Sequence, residues 1–312
     1  MAFSPDNTHI AVNYHYVEDP RPGAGGIHPC SRAEFERQIR FLADQFRFVS
    51  LPEVHDAAKR GSSEKLCAIT FDDGLQDQWA NGLPVLKQYG AVATFFIITG
   101  TLEGKMPSAH KVHLISSRIS MPTLVEKFNL FISHAFPHLA RTYYIPSDHF
   151  LNAKRRHDEI TAANFKEMVN NIAPRSVSDA FLFQMLKELD MKEEDECRKL
   201  FMNLDQICAL PDAGFFVESH THNHYSLDRE PREVLREDFR ATADTFRRIF
   251  GAPPGCIAYP YGRAPIDHSL LAEFGMSHGV TVESRPIIAG DDPLLIPRFD
   301  TNDIRKFFDT HG

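Results

Sequence analysis

Leu66-Cys67-Ala68-Ile69-Thr70-Phe71-Asp72-Asp73-Gly74 is the stretch whose reading decides the fold. Its first six residues read as a buried strand, and the strand ends at two adjacent acids and a glycine. Upstream, Ile10-Ala11-Val12-Asn13-Tyr14-His15-Tyr16 reads as a first strand. Ser31-Arg32-Ala33-Glu34 reads as a capping box opening a helix, whose apolar residues Phe35, Ile39, Phe41, Leu42 and Phe46 fall largely on one face. Phe48-Val49-Ser50-Leu51 is a short strand, and Pro52 sits where a helix tolerates it, in the first turn. Downstream, the pattern predicts a helix over 79–89 and a strand over 92–98. This alternation implies parallel strands with helices outside.

From about residue 104 to about 195 the strands vanish and helical patterns remain, over 124–132, 163–169 and 180–186. The segment reads as an inserted helical subdomain, a lid or substrate platform, with the apolar run 124–132 serving as its own core or as a dimer face. The alternation then resumes: a helix over 196–210, the strand Gly214-Phe215-Phe216-Val217-Glu218, a long helix over 231–250 striped by Val234, Leu235, Phe239, Ala243, Phe246 and Ile249, and the strand Cys256-Ile257-Ala258-Tyr259. Further strands are predicted over 278–282 and 294–299. The expected fold is α/β, a distorted (β/α) barrel of about seven units with an inserted helical subdomain; a doubly wound open sheet is the alternative. The barrel would be discontinuous, 1–103 with 196–312, around an insertion at 104–195.

The chain has 312 residues, 43% hydrophobic and 24% charged, with a net charge of −8, a composition that excludes disordered and fibrous classes and disfavours a nucleic-acid surface. No apolar run is long enough to span a bilayer, and the first residues lack the pattern of a signal peptide, so a cytoplasmic location is expected. Cys30, Cys67, Cys197, Cys208 and Cys256 are scattered and odd in number, and read as reduced thiols.

Two clusters carry chemistry. Asp72 and Asp73 leave a strand in different directions, so one can serve a metal and the other a water, although Asp-Gly is also a common turn. His220-Thr221-His222-Asn223-His224 follows the strand ending at Glu218. His220 and His224 meet on one helical turn or a tight loop, whereas an extended chain would pair His222 with either. Two histidines and one carboxylate match a catalytic metal site with open positions for water.

These residues resemble the polysaccharide deacetylases, also called the NodB homology domain or carbohydrate esterase family 4. Thr70-Phe71-Asp72-Asp73-Gly74 resembles the family's first motif, Ser219-His220-Thr221-His222-Asn223-His224 its second, and Ala258-Tyr259-Pro260-Tyr261-Gly262 a variant of its third. Tyr14-His15 resembles the start of many members. The resemblance covers roughly 8–102 and 197–300 and implies a distorted barrel. It also implies Asp73, His220 and His224 as ligands of a divalent metal, most simply zinc, with cobalt, nickel and manganese as alternatives. Asp72 would be the base that deprotonates metal-activated water, and the Tyr261 main-chain amide would steady the oxyanion. His222 occupies a variable position and is not an implied ligand.

The sequence departs from the family in three places. Many members carry in the third motif an arginine that tethers the base; Ala258 stands there, and Arg298 is the candidate substitute, with Arg263 second. The leucine-histidine pair that supplies a general acid is absent. His15 is the candidate acid, ahead of His110, His113, His268 and His278. The family's late tryptophan is missing too, Trp79 lying elsewhere, and Asp291-Asp292 reads as a turn.

The function expected is a metal-dependent hydrolase removing an acetyl group from an N-acetylated sugar or glycan precursor. An O-acetyl esterase, a cyclic-amide hydrolase or a non-catalytic glycan binder are the alternatives. The expected partner is an N-acetylated sugar or oligosaccharide, with no nucleic acid and no membrane span; a homo-oligomer is compatible.

Overall fold

The computed structural model describes residues 2–20, 29–152 and 159–311. The chain divides into two compact units, one formed by the residues up to Asp19 with Pro29–Glu103 and Arg198–Gly312, the other containing Gly104–Cys197. In chain order the elements are β1 (His9–Tyr14), α1 (Arg32–Gln45), β2 (Arg47–Phe48), α2 (Leu51–Lys59), β3 (Leu66–Phe71), α3 (Leu83–Gln88) and β4 (Ala93–Ile97). Then come α4 (Ser108–Ser116), α5 (Met121–Ala135), α6 (Ile160–Glu167), α7 (Arg175–Glu188), α8 (Glu193–Leu200) and α9 (Leu204–Asp212). The chain ends with β5 (Phe216–Ser219), α10 (Arg232–Phe250), β6 (Cys256–Ala258), α11 (Ser269–Glu273), β7 (His278–Val280), β8 (Phe299–Asp300) and α12 (Thr301–His311).

The first unit is a parallel sheet in the order β7-β6-β5-β4-β3-β1-β8, with β2 paired to β3. Segment 296–300 brings its ends together: Ile296 bridges Val280 of β7, while Phe299 pairs with Val12 of β1. The result is the distorted (β/α) barrel that the alternation predicts. The last strand is shorter than the predicted 294–299 because Pro297 has no N–H for a ladder.

Period-two alternation sorts the strand residues into two cores. Ile10, Val12, Tyr14, Cys67, Ile69, Phe71 and Phe95 pack with the helices, where the Phe71 and Phe95 rings stack at 4.8 Å. Ala11, Leu66, Ala68, Phe96, Ala258, Val280 and Ile296 form the other core. The alternation that puts Leu66 and Ala68 there carries Thr70 and then Asp72 to the same side. On β1 the same row runs from Ala11 to Asn13, which is paired with Thr70. The small alanines of this core leave volume for one large side chain, Arg298, 1% exposed.

Three local expectations are corrected. Ser31 accepts from the Glu34 N–H, but Glu34 takes Gln38 as its own partner, so only half of that capping box forms. Full boxes occur at Ser50–Glu53 and Asn203–Gln206. The second of these splits the helix predicted over 196–210, since Asn203 caps a new one while the Met202 N–H bonds Gly74 O. Residues 78–82 form a π-turn before α3.

In the second unit, Leu124, Phe128 and Ile132 recur at helical spacing and are buried with Phe165 and Phe181. The apolar run of α5 is therefore this unit's own core, although Leu130 on the same helix stands 60% exposed. All five cysteines are free thiols. Among the described residues no helix is long and apolar enough to cross a membrane.

Candidate active site

The site gathers at the C-terminal ends of β1, β3, β5 and β6, where loops leave a parallel sheet. β3 delivers the two acids. Asp72 continues the interior row, and Asp73 turns off it with φ +78°. Gly74 follows at φ +71°, where a Cβ would sit 3.1 Å from an Ile97 methyl.

Asp72 is almost fully buried and held by charge. Arg298 Nη1 and Nη2 donate to its two oxygens at 2.7 and 2.8 Å, a bidentate pair. Asn13 Nδ2 donates to Asp72 Oδ2 at 3.1 Å. The guanidinium has further acceptors: Nε donates to Thr281 O, and Nη1 also to Asn13 Oδ1 and Thr70 Oγ1. Burial pushes the Asp72 carboxyl up, but Arg298, with His220 and His15, outweighs it and holds the group at about 2. Asp72 is thus a fixed carboxylate across the physiological range.

Asp73 faces the histidines. Its Oδ1 lies 3.4 Å from His220 Nε2 and 3.6 Å from His224 Nε2, and all three residues are buried. One ligand atom from each lies within 4.8 Å of the others. His220 Nδ1 donates to Ala258 O at 2.8 Å, which leaves Nε2 as the lone-pair nitrogen facing Asp73. A carboxylate oxygen and two converging imidazoles are a donor set that fits zinc or a neighbouring divalent ion. Burial pushes the His220 imidazole down, but Asp72 and Asp73 push it up by more. The negative potential that draws a proton there also draws a cation.

His220 and His224 meet through a tight loop, which settles the choice between loop and helix. Of the five non-glycine residues with positive φ among those described, four are Asp73, Thr221, His224 and Tyr261. Such conformations persist only where the surroundings hold them, and they cluster at functional sites. His222 turns elsewhere: its Nδ1 lies 3.0 Å from Thr99 Oγ1 and its Nε2 3.8 Å from Glu103.

The other sequence candidates separate clearly. His15 lies beside Asp72, Nε2 3.8 Å from Asp72 Oδ2, with its side chain 43% exposed. The Tyr261 ring packs on His224 at 4.9 Å. Arg263 reaches Asp228 at 3.6 Å, and the bond to Asp72 belongs to Arg298. His278 opens β7, at the opposite end of the strands from the site, with its ring 5.8 Å from His55. His110 and His113 lie on α4 in the second unit, and His268 precedes α11. Asp291 forms a bidentate pair with Arg285 in a turn, as its sequence reads.

Sequence reading passed over Asn13, Thr70, Gln78 and Asp238. Asn13 and Thr70 are polar residues at the ends of apolar strands, a visible signal. Gln78 donates to both the Asp72 and His15 carbonyls, tying the ends of β3 and β1 together. Asp238 stands in the buried stripe of α10 between Leu235 and Phe239, where an acid is out of pattern.

The sequence profile described as polysaccharide deacetylase matches residues 59–278. The chain belongs to the polysaccharide deacetylase family. It is 30% identical over 126 residues to a poly-beta-1,6-N-acetyl-D-glucosamine N-deacetylase of Staphylococcus aureus, which covers 36% of this chain and 43% of that protein. The match spans about two fifths of the length of the curated relatives. Among solved structures, the Streptococcus pyogenes deacetylase PplD superposes with a TM-score of 0.59 at 17% identity, covering 96% of this chain and 98% of that one. IcaB from Ammonifex degensii gives 0.57 at 18%, covering 96% and 97%. These two likenesses establish the shared fold.

Proposed function

We propose that this chain hydrolyses the N-acetyl group of an amino sugar in a glycan or glycan precursor, with one divalent metal held by Asp73, His220 and His224. The observation that carries the reading is the division of labour between adjacent acids: Asp72 is locked by Arg298 while Asp73 faces two imidazoles. A pure binding site has no use for a fixed carboxylate beside a ligand set. Family membership and a relative named as an N-deacetylase support the same bond.

The metal, zinc by its donor set, would polarise the acetyl carbonyl and make water easier to deprotonate. Asp72 takes the proton of the attacking water. Its low proton affinity makes it a weak base, and its fixed orientation compensates by removing the cost of positioning it. Arg298 and Asn13 hold that orientation. The Tyr261 main-chain amide steadies the charge that develops on the carbonyl oxygen. His15, half exposed beside Asp72, delivers a proton to the departing amine and takes over the task of the absent leucine-histidine pair.

The test is acetate release from β-1,6-linked N-acetylglucosamine oligomers and from O-acetylated sugars, with metal content measured by native mass spectrometry in the same preparations. Amide cleavage, one metal per chain, and loss of that metal in His220→Ala are expected. Cleavage of esters alone, or turnover undiminished in a metal-free chain, would sink the proposal.

A further inference from the structure

We infer that Asp238 is a positioning residue for the metal ligands: together with Gly100 it clamps residues 221–223 from two sides, so that His220 and His224 face one cation. The inference rests on the metal site proposed above.

The segment needs a clamp. Thr221 at φ +68° is β-branched in a region such residues avoid, and His224 at φ +58° is a second departure three residues on. A loop with two such residues relaxes unless its backbone groups are tied. Each end is tied locally: the Thr221 N–H donates to Ser219 Oγ at 3.0 Å and the His224 N–H to Thr221 Oγ1 at 2.9 Å.

The middle is held from outside. Asp238, 2% exposed, comes from α10. Its Oδ1 accepts from the His222 N–H at 2.9 Å, and its Oδ2 accepts from the Asn223 N–H at 2.9 Å and from Asn223 Nδ2 at 2.8 Å. From the opposite side, the Thr99 and Gly100 N–H groups donate to the carbonyls of Thr221 and His222 at 3.1 and 3.0 Å. That approach needs glycine: a Cβ on Gly100 would lie 2.4 Å from the His222 oxygen. Donors on one side and a carboxylate on the other leave the segment one position. A buried acid is costly where an apolar residue would serve packing alone, and this one spends both oxygens on the ligand loop.

The test compares wild type, Asp238→Asn and Gly100→Ala. Asp238→Asn keeps the volume but turns an NH2 toward a backbone N–H. Gly100→Ala pushes on the same segment without touching Asp238. Cobalt affinity is read by competition with a chromophoric chelator, the cobalt spectrum reports coordination, and unfolding in chelator reports the apo fold. Both variants are expected to unfold cooperatively and to bind cobalt about 10–100-fold more weakly, with an altered spectrum. A cooperatively folded variant that binds cobalt as tightly as wild type, with the same spectrum, overturns the clamp. If Asp238→Asn does not fold, Gly100→Ala decides. A wild type that takes up no cobalt overturns the metal reading itself, and the clamp falls with it.

Discussion

The two sides of the site are built by different means. The side of the proposed base is held by side chains on strand ends: Arg298, Asn13 and Thr70 surround Asp72 with charge and hydrogen bonds. The side of the proposed metal ligands is held by its backbone, a loop of strained residues fastened by Asp238, Thr99 and Gly100. A base must keep one protonation state and one orientation, which a bidentate arginine supplies. Two imidazoles must converge on a single point, and that is a matter of where the chain runs.

This contrast predicts separable failures. The largest concerns chemistry. Asp72→Asn should cut kcat about 10²–10⁴-fold while metal content stays at wild-type level. His224→Ala should lose the metal. Native mass spectrometry with acetate-release kinetics checks both, and an Asp72→Asn chain without metal would show that the two sides are not separable.

Next comes stability. Arg298→Met strands a buried carboxylate and should cost about 3–5 kcal/mol in denaturant unfolding. Arg298→Met combined with Asp72→Asn should be more stable than Arg298→Met alone, because no charge is left uncompensated. Additive losses would mean that Arg298 acts through packing. Asn13→Ala, which leaves hydrogen bonds to both Asp72 and Arg298 unmade, should cost about 1–3 kcal/mol by the same measurement.

The smallest effect sharpens the role of the arginine. Asp77 lies four residues past Asp73, with Oδ2 accepting from the Val17 N–H at 3.0 Å. Burial, then the charge of Glu18, pushes its carboxyl up to about 7. The folded chain therefore keeps a proton that the unfolded chain releases above about pH 4, so this stability is present below pH 4 and is lost as pH rises to about 7. Asp77→Asn should match wild type at pH 4 and melt about 2–4 °C higher at pH 8, measured in chelator. An equal difference at both pH values would show that Asp77 does not titrate in this window.

Much of this was legible in one dimension. β3 and its acidic pair could be read because a buried strand is a local pattern and Asp-Asp at its end is conspicuous. The two-residue β8 was blurred because its length is set by Pro297 and by neighbours on both sides. Asn13 and Thr70 carry no legible role in the sequence, since a polar residue at a strand end has many uses until its partners are known. His278 could not be told from His15 by residue type; the end of the sheet on which each lies separates them.

By itself, the sequence determined the alternating units, the interruption by helices, the family, and which residues could bind a metal. All of these rest on periodicity and on motifs a few residues long. Only the tertiary structure decided that Arg298, 226 residues from Asp72, bonds both its oxygens, and that Asp238 grips the backbone of the histidine loop. The physical reason is that burial of charge is a collective property. A guanidinium becomes a tether only where small residues make room for it and where all three of its nitrogens find acceptors, and those acceptors come from three separate parts of the chain: Asn13, Thr70 with Asp72, and Thr281.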